Sequence, residues 1–151
     1  MTNECIPYFE AAYTQKITVH AGYAMTGKTF SGVLTSHQGS GPALAADPLP
    51  TGDGGNLQCP AAPVAGGQVG GVIGWDVASG AKAPLIRGEG TMVPVTSGAA
   101  VAIGDLLMVD TQGRVVTATA TNYVVGKAHS AAGAAGTDVV VELAGSIAGK
   151  A

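Results

Sequence analysis

Apolar and polar positions alternate most regularly in the last third of the chain, from Gly104 to Leu143, which reads GDLLMVDTQGRVVTATATNYVVGKAHSAAGAAGTDVVVEL. Leu106–Val109 is a short apolar run. Asp110-Thr111-Gln112-Gly113 closes it with Asp first and Gly fourth, the chemistry of a tight turn. Arg114–Thr121 then alternates, with Val115, Thr117 and Thr119 on one side and Val116, Ala118 and Ala120 on the other. Tyr123–Ala128 makes a third strand, Ser130–Gly136 a small-residue loop, and Thr137–Leu143 a fourth strand. In that last strand Val139, Val141 and Leu143 share one face, and Asp138, Val140 and Glu142 the other. The pattern predicts a β-meander with one dry face and one face that meets water or a partner. Nothing in it looks catalytic.

Earlier segments carry the same period more briefly. Lys16–Ala21 places Ile17 and Val19 on one face, and Thr29–Ser36 is a strand interrupted by Gly32. Val72–Val77, Pro84–Arg87 and Met92–Val95 are short strands between Gly-containing turns. Val72-Ile73-Gly74 through Gly88 parallels Val124-Val125-Gly126 through Gly145: a strand ending at Gly, a small-residue loop, then a strand leading into Gly. Two such hairpin repeats predict a sheet curled into a small β-barrel or sandwich. Helix is disfavoured throughout. Only residues 8–21 and 114–125 run beyond ten residues without Gly or Pro, and both are rich in Thr, Val, Ile and Tyr. The fold class expected is all-β.

Two stretches break the pattern. Residues 1–15 read as an extended arm: Pro7 disfavours helix at Ile6, and Ile6, Tyr8, Phe9 and Tyr13 crowd four large apolar side chains into eight residues. Such density is unusual for a terminus. A first strand packed on its own core and an arm docked on a neighbour both account for it. From His37 to Gly71, Pro42, Pro48, Pro50, Pro60 and Pro63 fall among glycines, an arrangement no regular element tolerates for long. A long irregular segment of this kind is functional or a linker, and contacts in an assembly are the simplest way to order it. The expected organisation is therefore an arm over 1–15 and one β domain over 16–151 that includes the Pro/Gly-rich insert 37–71.

Composition sharpens this picture. Charged residues are 11% of the chain, under half of the roughly 25% usual for globular domains. Such a chain is too apolar for a disordered tail and too weakly charged for a well-solvated monomer. Burial of much of its surface in an assembly explains both, and a monomer with neutral Gly/Ala loops is the alternative. The net charge is −3 and the seven basic residues are scattered, so there is no electrostatic footprint for nucleic acid. No apolar run approaches the ~18 residues of a membrane helix, and MTNECIPYFE has neither the basic nor the apolar region of a signal peptide. Cys5 and Cys59 fit no zinc spacing and no dense disulfide framework. Two reduced thiols are the default, with a single bridge left open.

Candidate chemistry adds little. Gly22-Tyr23-Ala24-Met25-Thr26-Gly27-Lys28-Thr29 matches the phosphate loop G-x-x-x-x-G-K-[ST] and follows a strand, and Asp105–Asp110 mimics the strand whose terminal Asp holds magnesium. That chemistry needs a helix beginning at the Lys, whereas Phe30 onward is strand-like and broken by Gly32. Gly27-Lys28 is better read as a turn between two strands. Gly70–Asp76 is one residue too long for a calcium nonapeptide, and Asp53-Gly54-Gly55-Asn56 lacks the ligands of a calcium loop. His20, His37 and His129 lie far apart, with no Cys or carboxylate at ligand spacing. No catalytic residue, metal site or cofactor is expected. Trp75, the only Trp, is read as a core anchor in preference to an interface anchor.

The opening NECIPYFE, the turn Thr26-Gly27-Lys28, the segment Met92-Val93-Pro94-Val95-Thr96-Ser97-Gly98 and the Gly104–Leu143 close, with its D-x-x-G-R-V and VVGKA elements, carry a family likeness. Together they resemble small capsid decoration (cement) proteins of tailed bacteriophages, especially those of actinobacterial hosts, over most of the chain except His37–Gly66. The resemblance implies a non-enzymatic virion protein that binds the outer surface of the phage head and stabilises the shell of major capsid protein. It also implies a homo-oligomer, with a trimer favoured. Ile6, Tyr8, Phe9 and Tyr13 are the expected capsid or inter-subunit contacts. A virion surface module for a receptor or carbohydrate, using Trp75 and Tyr123, is the alternative, and a nucleotide-binding protein using Lys28 and Thr29 a second one.

Overall fold

The computed structural model describes residues 3–8, 15–36 and 57–144. Within them the chain forms ten strands and no helix: β1 (Gln15–Ala21), β2 (Thr35–Ser36), β3 (Leu57–Cys59), β4 (Val72–Ile73), β5 (Lys82–Arg87), β6 (Met92–Thr96), β7 (Leu106–Val109), β8 (Val115–Thr117), β9 (Gly126–Ala128) and β10 (Asp138–Leu143). They make two five-stranded sheets, ordered β2-β3-β1-β5-β4 and β6-β10-β9-β7-β8. The architecture is an all-β sandwich.

In the first sheet, β1 runs antiparallel to β5 and parallel to β3. Its alternation sets the packing: Ile17 pairs with Leu85 and Val19 with Ala83, on a face that also holds Ala21, Ile73 and Cys59. At the β4 edge this sheet is dry on both sides. Val72 and Ile73 are neighbours in sequence and point to opposite faces, yet both are buried. Ile73 and Leu85 belong to this first core, whereas Val72 and Ile86 pack into the core of the second sheet with Phe30. Two-sided burial explains why β4 is a plain apolar run without alternation.

The second sheet is built as its periodicity predicts on one face. Val139, Val141, Val93, Val95, Leu107, Val109 and Val115 are all fully buried, each worth about 1.5–3 kcal/mol relative to exposure. Its order is not that of a meander. β7 and β8 form the hairpin closed at Asp110–Gly113, but β9 pairs with the other side of β7, and β10 lies between β9 and β6. Residues 118–125 therefore cross from one side of β7 to the other, which is why the strands expected over Arg114–Thr121 and Tyr123–Ala128 shorten to Val115–Thr117 and Gly126–Ala128. The strand expected over Thr29–Ser36 also shortens, to Thr35–Ser36, and Phe30 makes a single bridge to Val72.

The two sequence repeats are both antiparallel hairpins, β4–β5 and β9–β10, one in each sheet. Their registers differ: the Gly74 amide donates to the Pro84 carbonyl, while Gly126 faces Leu143. The repeat is one of shape and not of residue correspondence.

Candidate functional site

The phosphate-loop look-alike is a clasp between the sheets. Lys28 sits at φ +60 in a turn, a conformation costly for a side chain with a Cβ. Its amide donates to Ile73 O (3.0 Å) in the first sheet, and its carbonyl accepts from Thr96 N (2.8 Å) in the second. The Lys28 ammonium meets Asp138 Oδ2 at 2.7 Å, and that hydrogen bond raises the lysine pKa. The Gly27 amide donates to Asp76 Oδ1 (2.9 Å) and the Thr29 hydroxyl to Thr26 O (2.6 Å). The Gly27 and Lys28 amides and the Lys28 ammonium are committed to protein acceptors, and no helix follows. Asp110 likewise serves its turn: Oδ1 accepts from Gln112 N and Arg114 N, and Oδ2 pairs with the Arg114 guanidinium at 2.7 Å.

Residues 3–8 lie across the same seam. Asn3 Nδ2 donates to both oxygens of Asp76 at 3.2 Å. The Cys5 amide donates to Gly74 O (2.7 Å), and the Tyr8 amide to Met92 O (2.8 Å). Cys5 turns inward, 5% exposed, into the core of the second sheet, with Sγ 3.5 Å from Pro94 O. Burial pushes its thiol pKa up to about 12, against the pull of the Lys28 ammonium, with Asp138 adding to the rise. Ile6 and Tyr8 turn outward and are 63% and 69% exposed. Of the four expected contact residues, these two are apolar side chains held outward by a pinned backbone. Phe9 and Tyr13 lie outside the described residues.

Trp75 stands between the two residues that the arm grips, Gly74 and Asp76. It is 38% exposed and belongs to neither core, so the core-anchor reading is corrected. The turn that follows β4 lifts it off the sheet, and a single Trp in a Gly-rich stretch carries no periodicity that could have shown this. Tyr123 lies elsewhere. It lines an open groove of about 390 Å³ with Val33, Thr35, Pro60–Val64, Gly67 and Gln68, a wall with no charged side chain. This groove was not foreseeable, because it is assembled from three segments distant in sequence. Ile103 and Leu106 are further exposed apolar residues at the entry to β7.

The cysteines are free and buried in different cores. His129 does have a carboxylate partner, Glu142 at 2.6 Å, brought to it by the β9–β10 hairpin. Among the described residues no three His, Cys, Asp or Glu side chains converge as a metal site would require.

The chain is similar to the head fiber gp8.5 N base of bacteriophage phi29, with a TM-score of 0.62 and 17% identity over 87% of this chain and 94% of that one. No curated protein sequence matches it. Residues 49–143 match the family described as phage cement protein, and the chain belongs to that family. It is a structural protein of the virion, bound at the outer surface of the head. The match contains Met92–Gly98 and the Gly104–Leu143 close and also the second half of the Pro/Gly-rich stretch. NECIPYFE and Thr26–Lys28 lie outside it.

Proposed function

We propose that this protein reinforces the assembled head by gripping the shell of major capsid protein with its N-terminal arm, residues 1–15, and that the remainder, 16–151, is the scaffold that presents the arm. The observation that carries this reading is the orientation of residues 3–8. Cys5 plugs the core and two amides fix the backbone, so Ile6 and Tyr8 are displayed in a set direction. An apolar side chain held ready for contact loses less freedom on binding than one on a mobile tail. Phe9 and Tyr13 extend the same contact by sequence. The action is mechanical and not catalytic: in the loop with an enzyme-like motif the Gly27 and Lys28 amides, the Thr29 hydroxyl and the Lys28 ammonium are engaged within the protein.

A weak contact per copy becomes strong when an oligomer engages several shell subunits together, and a homo-oligomer, a trimer for preference, suits a chain with so little surface charge. The alternative module for a receptor or carbohydrate called for Trp75 and Tyr123 to act together. Trp75 flanks the arm and Tyr123 lines the groove, so no arrangement of the two favours that reading.

Removing the whole arm would also remove Cys5 from the core, so the test is a surface one. The double variant Ile6→Ser, Tyr8→Ser is expected to melt like the parent and to lose most of its occupancy on heads assembled without this protein, measured as copies per shell subunit. Occupancy equal to the parent's would refute the arm as the grip.

A further inference from the structure

The arm's attachment differs in kind from that of every strand it touches. β6 is the edge strand of the second sheet, and Met92, Pro94 and Thr96 turn their backbone groups outward from β10. Pro94 has no N–H to offer there, so the arm cannot complete a ladder along β6. Among the described residues, the contacts that hold residues 3–8 are the Tyr8 amide to Met92 O, the Cys5 thiol to Pro94 O, the Cys5 amide to Gly74 O, the exposed Asn3–Asp76 pair and the Asn3 carbonyl lying against Gly27. Only one side chain among residues 3–8, the small Cys5, is buried. Meanwhile the sheets are joined independently of the arm. Lys28 ties Ile73 to Thr96 and Asp138, and Val72 and Ile86 pack into the second sheet's core. Releasing residues 3–8 therefore costs a few hydrogen bonds and one thiol-sized burial, and leaves both sheets and their clasp intact.

We propose that residues 3–8 form a releasable latch across the seam between the sheets, which opens as a unit while the sandwich stays folded. Segments with few buried apolar contacts and exposed hydrogen bonds open at free energies well below that of global unfolding. In the open state the carbonyls of Gly74, Met92 and Pro94 lose their partners from the arm, and Ile6 and Tyr8 gain the reach to adjust to a neighbouring surface. The latch is a property of the isolated protein and stands whatever the arm contacts on the head.

The latch has three reporters: the Cys5 amide, the Tyr8 amide and the Cys5 thiol. Native-state hydrogen exchange by NMR in sub-denaturing urea should show the Cys5 and Tyr8 amides exchanging with one common protection factor, insensitive to urea. That factor should be at least about a hundredfold below that of Val139 and Val141 in β10, whose protection falls steeply with urea. Alkylation of Cys5 by iodoacetamide, located by mass spectrometry, should follow the same opening. Asn3→Ala should speed exchange at both amides and alkylation at Cys5 by roughly 2- to 10-fold, the worth of one hydrogen bond, with β10 unchanged. Cys5 and Tyr8 amides that exchange only with β10, at its urea slope, would overturn the latch. So would Cys5 exchanging far faster than Tyr8, because that is fraying from the chain end and not opening as a unit.

Discussion

Gly113 shows how a turn read from sequence acquires a tertiary duty. Its φ of +75 suits the fourth position of the Asp110–Gly113 turn, and its carbonyl accepts from Phe30 N at 2.7 Å. A Cβ there would stand 2.2 Å from Phe30 O. Gly113→Ala should thus destabilise the fold by about 1–3 kcal/mol through backbone strain, and by more where Phe30 is displaced, seen as a lower urea midpoint. The turn was visible in the sequence because Asp and Gly have local reasons to be there. Phe30's approach was not, because it comes from a segment far away in sequence that makes only an isolated bridge to β4. Titration gives a second residue-scale test. Cys5, Cys59 and Tyr23 have pKa values raised by burial, and that of Lys28 is raised by Asp138. For each, the unfolded chain gives up its proton first, so stability is whole below the unfolded pKa and declines as pH rises through the window up to the folded one. For Cys5 that window runs from 9.0 to about 12, with a slope of up to about 1.4 kcal/mol per pH unit. Thermal melts should fall above about pH 9. Cys5→Ala should lessen that fall, and an unchanged alkaline slope in that variant would mean the thiol is not desolvated.

Among elements, period-two alternation is visible in sequence only where one face of a strand is wet. β10 and β1 satisfy that condition, and their bounds and facing residues were predicted almost to the residue. β4 does not. Val72 and Ile73 are buried on opposite faces by different cores, so a two-residue apolar run carried no sign of which side mattered. The crossing of residues 118–125 over β7 was hidden for another reason: pairing order depends on long-range contacts, whereas the Thr- and Val-rich composition there favours extended chain in either topology. The difference between strands is testable by placing a hydroxyl at successive positions. Val72→Thr and Ile73→Thr should each cost about 1–3 kcal/mol, the cost of burying an unpaired hydroxyl. In β10 Val141→Thr, on the buried face, should do so, while Val140→Thr, on the half-exposed face, should stay within about 0.5 kcal/mol. Chemical denaturation of the four variants checks this, and a tolerated Val72→Thr would remove the case for a two-sided β4.

For the molecule as a whole, weak charge and outward apolar side chains bear on the kind of contact made with the head. Charged residues are 11% of the chain and its net charge is −3. The ion pairs Lys28–Asp138 and Arg114–Asp110 and the close contact of His129 with Glu142 engage charged groups among the described residues. The large apolar side chains exposed at the arm are Ile6, Tyr8 and Trp75, with Asn3, Glu4 and Asp76 exposed beside them. Residue chemistry alone suggested this for Ile6 and Tyr8. It could not suggest it for Trp75, whose place beside them depends on Asn3 and Cys5 gripping Asp76 and Gly74. A contact made by these side chains gains from water released off apolar surface, which added salt does not screen. A contact steered by charge weakens once the Debye length shrinks to a few ångströms. Occupancy on heads should therefore change by less than about twofold between roughly 0.1 M and 1 M sodium chloride. Trp75→Ala should lower it at every salt concentration with little change in melting, since Trp75 belongs to neither core. A steep loss of occupancy with salt, with Trp75→Ala binding like the parent, would move the grip away from the arm to charged positions elsewhere on the sandwich.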